Sequence, residues 1–350
     1  MPSNDDPALD ALFLPLGSGA VRLPECALFL RARAGAWLHT WPRARFHCVQ
    51  TFLPFADALT RAGEPVAAPP AEDRHFPLVL VLPPRQRDEA RALLAHALRH
   101  ALPGGTVVVS QSNNEGARSG EADLQRIAGA VHSLSKHKCR VFWTKPLGAG
   151  VDTGLIDEWS TLDALRPIDD GRYVSRPGLF AWDRIDAASA LLARHLPDTL
   201  HGRVADLGAG YGYLACEVVR RCAEVDAIDL YEAEQRALEA ARINVARAVR
   251  ESTRAVAADF LWHDVMRGLP RRYDAIVSNP PFHHGRADRP ELGQAFIAAA
   301  ANALLPGGEL WLVANRHLPY ETVMAARFDE VRNVATQGGF KVIAARGVRR

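Results

Sequence analysis

Two short stretches of this chain carry residue types that can do chemistry. The first is Val204-Ala-Asp-Leu-Gly-Ala-Gly-Tyr-Gly212, where a strand gives way to a helix. Gly208, Gly210 and Gly212 let the backbone turn tightly and approach a ligand closely. A dinucleotide loop is the obvious competitor, but the spacing is GxGxG rather than GxGxxG. Asp206, just ahead of the loop, would repel a diphosphate. An acid there suits a cationic ligand with an amino group, such as S-adenosylmethionine. The second stretch is Tyr273-Asp-Ala-Ile-Val-Ser-Asn-Pro-Pro-Phe282. Two successive prolines remove two backbone donors and restrict the loop. The Asn279 side chain and the Pro280 carbonyl are left as acceptors, with the Phe282 ring alongside. That set suits a planar group bearing an exocyclic amine, its N–H groups held by the two acceptors and its plane stacked on Phe282. Aligning such an amine with a sulfonium methyl needs neither a metal nor a covalent intermediate, because positioning carries most of the rate.

Further acids lie where a cofactor needs them. Asp229 follows Gly210 by nineteen residues, in Val225-Asp-Ala-Ile-Asp229, and an acid ending that strand can accept hydrogen bonds from both ribose hydroxyls. Asp226 and Glu232 are the nearby alternatives. Asp259 and Phe260 follow the next strand and could meet an adenine amine and ring. Adjacent His283 and His284 cannot readily face one metal from an ordinary loop, so no metal site is expected.

These residues need a frame, and the hydrophobic pattern predicts one. In the second half, strands over 203–207, 225–230, 254–260, 273–278 and 309–314 alternate with helices over 213–222, 233–249 and 290–305. Residues 331–336 and 340–345, around Gly338-Gly339, read as an antiparallel hairpin. Strict alternation makes an α/β doubly wound sheet, with ligands beyond the carboxyl ends of its strands. In the first half, 76–82, 106–109 and 139–143 read as strands and 85–100 and 121–131 as helices, with Pro103-Gly-Gly105 stopping the first helix; 37–55 is too mixed to assign. A helix over 181–195 opens the second half, and punctuation by Pro167, Gly171, Pro177 and Gly178 sets a boundary between domains 1–170 and 171–350.

Composition excludes several classes. With 48% hydrophobic and 23% charged residues, the 350-residue chain is neither disordered nor fibrous. The start is acidic, with no basic-then-apolar leader, and the nearest approach to a membrane span, 292–308, is interrupted by Gln294, Asn302 and Pro306. A cytoplasmic protein with no membrane partner is expected. Five scattered cysteines without CxxC spacing argue against a disulfide framework and a cysteine zinc site. A net charge of +2 advertises no nucleic-acid partner. Only four of the 42 basic residues are lysine; the guanidinium fork suits phosphate and base edges, although a coding bias produces the same count.

The two motifs resemble the class I S-adenosylmethionine-dependent methyltransferases, specifically the bacterial ribosomal RNA guanine-N2 methyltransferases. Asn279-Pro-Pro-Phe-His-His-Gly285, Val313-Ala-Asn-Arg-His-Leu-Pro-Tyr-Glu321, Gly339-Phe-Lys-Val342 and Arg176-Pro-Gly-Leu-Phe180 leading into Asp186 are all similar to that group. The resemblance covers about residues 176–345. It implies a Rossmann-like catalytic domain and methyl transfer to guanine N2 in ribosomal RNA, more specifically the small-subunit RNA. It also implies an N-terminal domain of similar but degenerate layout, without a cofactor site, that binds RNA or supports the fold. Other chemistries suit the same loop: N-methylation of adenine or of a protein glutamine. A non-catalytic RNA-binding assembly factor is the reading from a different class.

Overall fold

The computed structural model describes residues 6–42, 45–281, 283–284, 287–288 and 290–349. The chain forms two compact units, Met1–Ala164 and Leu165–Arg350.

In chain order the first unit contains α1 (Pro7–Leu12), α2 (Leu14–Gly17), β1 (Ala27–Leu30), α3 (Trp37–Thr40), β2 (Phe46–Val49), α4 (Leu53–Arg61), β3 (Phe76–Val81), α5 (Arg87–Arg99), β4 (Ala101–Ser112), α6 (Ala117–Ala128), β5 (Val131–Lys136), β6 (Cys139–Thr144) and α7 (Thr153–Ser160). Its sheet runs β2-β1-β3-β4-β6-β5. The first four strands are parallel and β5 and β6 close the edge antiparallel. The strand at β5 has no clear signal in the sequence, because its residues are mostly exposed and alternate weakly.

The second unit contains β7 (Arg166–Ile168), β8 (Tyr173–Ser175), α8 (Ala187–His195), β9 (His201–Leu207), α9 (Tyr213–Arg221), β10 (Glu224–Glu232), α10 (Gln235–Ser252), β11 (Ala257–Trp262), β12 (Tyr273–Ser278), β13 (His283–His284), β14 (Ala287–Asp288), α11 (Pro290–Ala303), β15 (Leu304–Asn315), α12 (Tyr320–Ala325), β16 (Phe328–Gln337) and β17 (Phe340–Val348). Its seven-stranded sheet runs β11-β10-β9-β12-β15-β17-β16. The strands are parallel up to β15, and the β16–β17 hairpin is added antiparallel at the edge. Apolar residues fill both faces, as a sheet covered on two sides requires.

The two sheets repeat each other in register. Leu30 on β1 faces Val49 and Val81, as Leu207 on β9 faces Tyr231 and Ser278. Both units bulge at the same point. Phe76 pairs with Ala101 and Leu78 with Thr106, while Tyr273 pairs with Leu304 and Ala275 with Glu309. Pro103-Gly-Gly105, expected to stop a helix, and its counterpart Pro306-Gly-Gly308 are these bulges and lie inside strands, because each strand resumes pairing on both sides. At Gly105 and Gly308 a side chain would meet the carbonyl oxygens of Leu102 and Leu305, at 2.8 and 3.0 Å, so only glycine passes through the bulge.

Helix boundaries shift from expectation where caps and glycines set them. α8 begins at Ala187 rather than residue 181, because Ala181 takes a φ of +47° and Asp186 supplies the N-cap, accepting from the Ser189 amide at 2.8 Å. α6 ends at Ala128, where Gly129 turns the chain into β5.

Candidate active site

The first motif sits at the carboxyl end of β9, the central strand. Gly208, Gly210 and Gly212 all take positive φ, at +71°, +55° and +83°. Their roles differ. A side chain at Gly212 would meet Ala241 and Leu230 within 3.3 Å, so this glycine lets α9 pack against the neighbouring helix and strand. A side chain at Gly210 would meet nothing within 4 Å, so this glycine faces open space. Asp206 is 1% exposed. One carboxylate oxygen accepts from the Ala215 amide in the first turn of α9, while Oδ1 is buried without a hydrogen-bond partner among the described residues. Burial pushes its carboxyl up to about 7, with the Glu232 charge acting in the same direction. A buried, unsatisfied acceptor beside an open glycine turn fits an ammonium group, so the donor set suits S-adenosylmethionine.

The sheet register relocates three of the expected cofactor residues. Strand β10 continues past Leu230 to Glu232, so Asp229 lies three residues inside it, level with Ala205. Asp229 is fully buried, and its carboxylate accepts from Arg203 at 2.8 Å, Arg271 at 2.9 Å and the Tyr273 hydroxyl at 2.8 Å. These partners, from β9, the segment before β12 and β12 itself, tie neighbouring strands together. The acid at the end of β10 is Glu232, which accepts from the Gly210 and Glu234 amides at 2.8 Å each. Burial raises its carboxyl above the ordinary value. Asp259 and Phe260 likewise lie inside their strand and not after it, since β11 runs on to Trp262, which pairs with Glu232. Asp259 is ion-paired with Arg271, and the Phe260 ring lies under the Arg242 guanidinium at 4.8 Å. Asp264 stands beyond the end of β11, accepting from the Met266 amide.

The second motif ends β12, next to β9. Asn279 donates through Nδ2 to Asp186 Oδ2 at 3.0 Å and to Ser189 Oγ at 2.8 Å. Both amide hydrogens are thereby used, which fixes the carboxamide and, among the described residues, leaves Oδ1 as a free acceptor. The Asn279 carbonyl lies 3.9 Å from where a side chain at Gly208 would stand, so the two motifs adjoin. Pro280 is buried. Phe282 lies outside the described residues, as does Gly285; His283 and His284 pair with Asp288 and Ala287 in a two-stranded ribbon. Lys341, 5% exposed on β17, donates to Glu321 of α12 at 2.6 Å and ties together the other two segments of the resemblance.

The N-terminal unit carries different residues at the same positions. Arg31 follows β1 where Gly208 follows β9, and adopts a φ of +55° despite its side chain. Arg33 stands where Gly210 does, Gln50 where Glu232 does, and Leu82-Pro-Pro84 where Asn279-Pro-Pro281 does. Arg31 is ion-paired with Glu89 at 3.0 Å and Arg33 with Asp6 at 2.9 Å. Two arginine side chains replace the open glycine turn, and the amide acceptor after β3 is gone. The sequence of this half shows no glycine loop, and the register shows what took its place.

A parallel sheet of this order, closed by an antiparallel hairpin and carrying a glycine turn after its central strand, defines the class I methyltransferase fold. The model of the methyltransferase small domain family matches residues 170–344, and the chain belongs to that family. Among curated relatives, the ribosomal RNA small subunit methyltransferase C of Klebsiella pneumoniae subsp. pneumoniae is 31% identical over 264 residues, covering 74% of this chain and 72% of that protein. Its namesake in Pseudomonas paraeruginosa is 30% identical over 269 residues, covering 76% and 78%. Among solved structures, the T. thermophilus 16S rRNA N2 G1207 methyltransferase (RsmC), in complex with AdoMet and guanosine, matches with a TM-score of 0.78 at 25% identity. The match covers 98% of this chain and 92% of that one.

Proposed function

We infer that this chain transfers a methyl group from S-adenosylmethionine to the exocyclic N2 amine of a guanine in 16S ribosomal RNA. The observation that carries the reading is the Asn279 carboxamide, its nitrogen held by Asp186 and Ser189 and its oxygen, among the described residues, left free beside Pro280. Likeness along nearly the whole chain to an enzyme solved with AdoMet and guanosine supports it.

When bound, S-adenosylmethionine supplies a methyl group activated by its sulfonium. Asp206 Oδ1 would accept from the ammonium, Glu232 would accept from the ribose hydroxyls, and Asp264, beyond the end of β11, would serve the adenine. Asn279 Oδ1 and the Pro280 carbonyl accept the two N–H groups of the guanine amine. Those bonds turn the nitrogen lone pair out of conjugation and toward the methyl carbon. Transfer would exchange a C–S bond for a C–N bond, and the proton displaced from the nitrogen would leave for solvent. The guanine must leave its stack to reach this loop, which costs a few kcal/mol in general. Phe282 would stack on the guanine ring. The N-terminal unit, with its glycine turn replaced, serves RNA binding or fold support, and the work is cytoplasmic.

The test is tritium transfer from labelled cofactor to 16S RNA, followed by nucleoside digestion and chromatography. N2-methylguanosine is the expected product, and inosine at the target must abolish labelling there. Recovery of N6-methyladenosine, or of labelled protein with no labelled RNA, overturns the substrate assignment.

A further inference from the structure

We propose that the N-terminal unit holds a single-stranded RNA nucleotide in a pocket at the amino ends of β3 and β4. This rests on the ribosomal RNA reading above and names the surface that serves it. The pocket encloses a cavity of about 530 Å³, within the ordinary range for a small-ligand site. Leu78 of β3 and Thr106 of β4 form part of its floor. That places it at the opposite end of the sheet from Arg31, Arg33 and Leu82, so it is not the remnant of a cofactor cleft.

Its chemistry is that of a nucleotide site. Arg22, Arg45 and Lys145 line it against a single acid, Glu25. Among the described residues Arg22 and Lys145 make no ion pair, whereas Arg31, Arg33, Arg87 and Arg91 of the same unit are all paired. Arg45 donates to the Pro24 carbonyl, which aims its guanidinium across the segment that forms the pocket wall. One wall is aromatic. His132 and Trp143 face each other across β5 and β6, with ring centroids 5.6 Å apart and planes 30° from parallel. Cations track a phosphate backbone, and a flat aromatic surface stacks a base without reading its sequence. A net charge of only +2 for the whole chain makes this local imbalance the more telling.

The experiment measures binding of a fluorescent ten-nucleotide oligouridylate to the full chain by anisotropy, over a salt series. Arg22→Glu with Lys145→Glu lowers affinity at least about tenfold and makes the salt slope shallower by about 1.4, because two phosphates are no longer neutralised. Trp143→Leu weakens binding about tenfold, since the base no longer has a ring to stack on. Cofactor titration of each variant reports folding and the integrity of the C-terminal site; the two exposed charge reversals keep the test open should Trp143→Leu fail to fold. Unchanged RNA affinity and salt slope in the double variant overturn the pocket, whatever the methylation assay shows. A folded Trp143→Leu protein binding like the parent also overturns it, since a bare electrostatic surface needs no ring. Failure of the inosine test instead strikes the guanine reading, with the oligouridylate result unaffected.

Discussion

Asn279 Nδ2 lies 3.0 Å from Asp186 Oδ2, a hydrogen bond joining residues 93 positions apart. Asp186 does two jobs, since the same oxygen caps α8 through the Ser189 amide. The helix cap therefore sets the direction of the carboxamide that faces the substrate amine.

Asn279→Ala is expected to leave cofactor affinity nearly unchanged and to reduce turnover by roughly two orders of magnitude or more, on the order of 3 kcal/mol. Asp186→Ala keeps Asn279 but frees it to rotate. Its kcat falls less steeply, with KM for RNA little changed, while Asp186→Asn restores the cap and part of the rate. Steady-state kinetics with calorimetry of the cofactor separates these outcomes. An Asp186→Ala enzyme with parental kcat would remove the positioning role.

Cofactor affinity should follow the ionisation of Asp206. Its carboxyl is pushed up to about 7 by burial, and an ammonium ligand needs the carboxylate. Affinity therefore falls about tenfold per pH unit below about 7 and levels off above it. The folded pKa lies above the ordinary value of 3.8, so this group's contribution to stability without ligand is complete below about pH 4 and declines as pH rises through about 7. The loss amounts to about 4 kcal/mol at most. Asp206→Asn flattens both profiles. Calorimetry and urea unfolding across that pH window provide the check.

Glu232 and Asp229 should separate cleanly. Glu232→Ala weakens cofactor binding by roughly 1.5–3 kcal/mol, the worth of charge-assisted hydrogen bonds. Asp229→Ala instead strands Arg203, Arg271 and the Tyr273 hydroxyl, and costs roughly 3 kcal/mol of stability. Titration of both variants beside their unfolding curves decides the matter; a stable Asp229→Ala protein with weakened cofactor affinity would reverse the assignment.

One cofactor molecule should bind per chain, in the second unit, because Arg31 and Arg33 fill the first unit's counterpart of the glycine turn. Replacing both arginines with glycine is not expected to create a second site, since Gln50 and Phe29 stand where Glu232 and Asp206 do. Calorimetric stoichiometry checks both statements.

Local chemistry was legible in the chain alone. A GxGxG turn after an acid and an Asn-Pro-Pro loop after a strand are defined by neighbours in sequence, so Asp206, Gly208 and Asn279 could be read directly. Alternation of strands and helices pointed to the sheet, because burial on two faces writes itself as short apolar runs. Strand ends were another matter. Whether β10 stops at Leu230 or Glu232 depends on pairing with β9 and β11, and Tyr231 and Glu232 look like loop residues until that ladder is drawn. That extra pairing puts Glu232, in place of Asp229, at the end of β10 and leaves Asp259 and Phe260 inside β11. Asp186 was visible as the end of a similar segment, but its partnership with Asn279 exists only once α8 lies against the end of β12. The residue-by-residue match between the two repeats was hidden for the same reason. Arg31 and Gly208 share no side chain, only a left-handed backbone and a place in a register, and those are properties of the folded sheet.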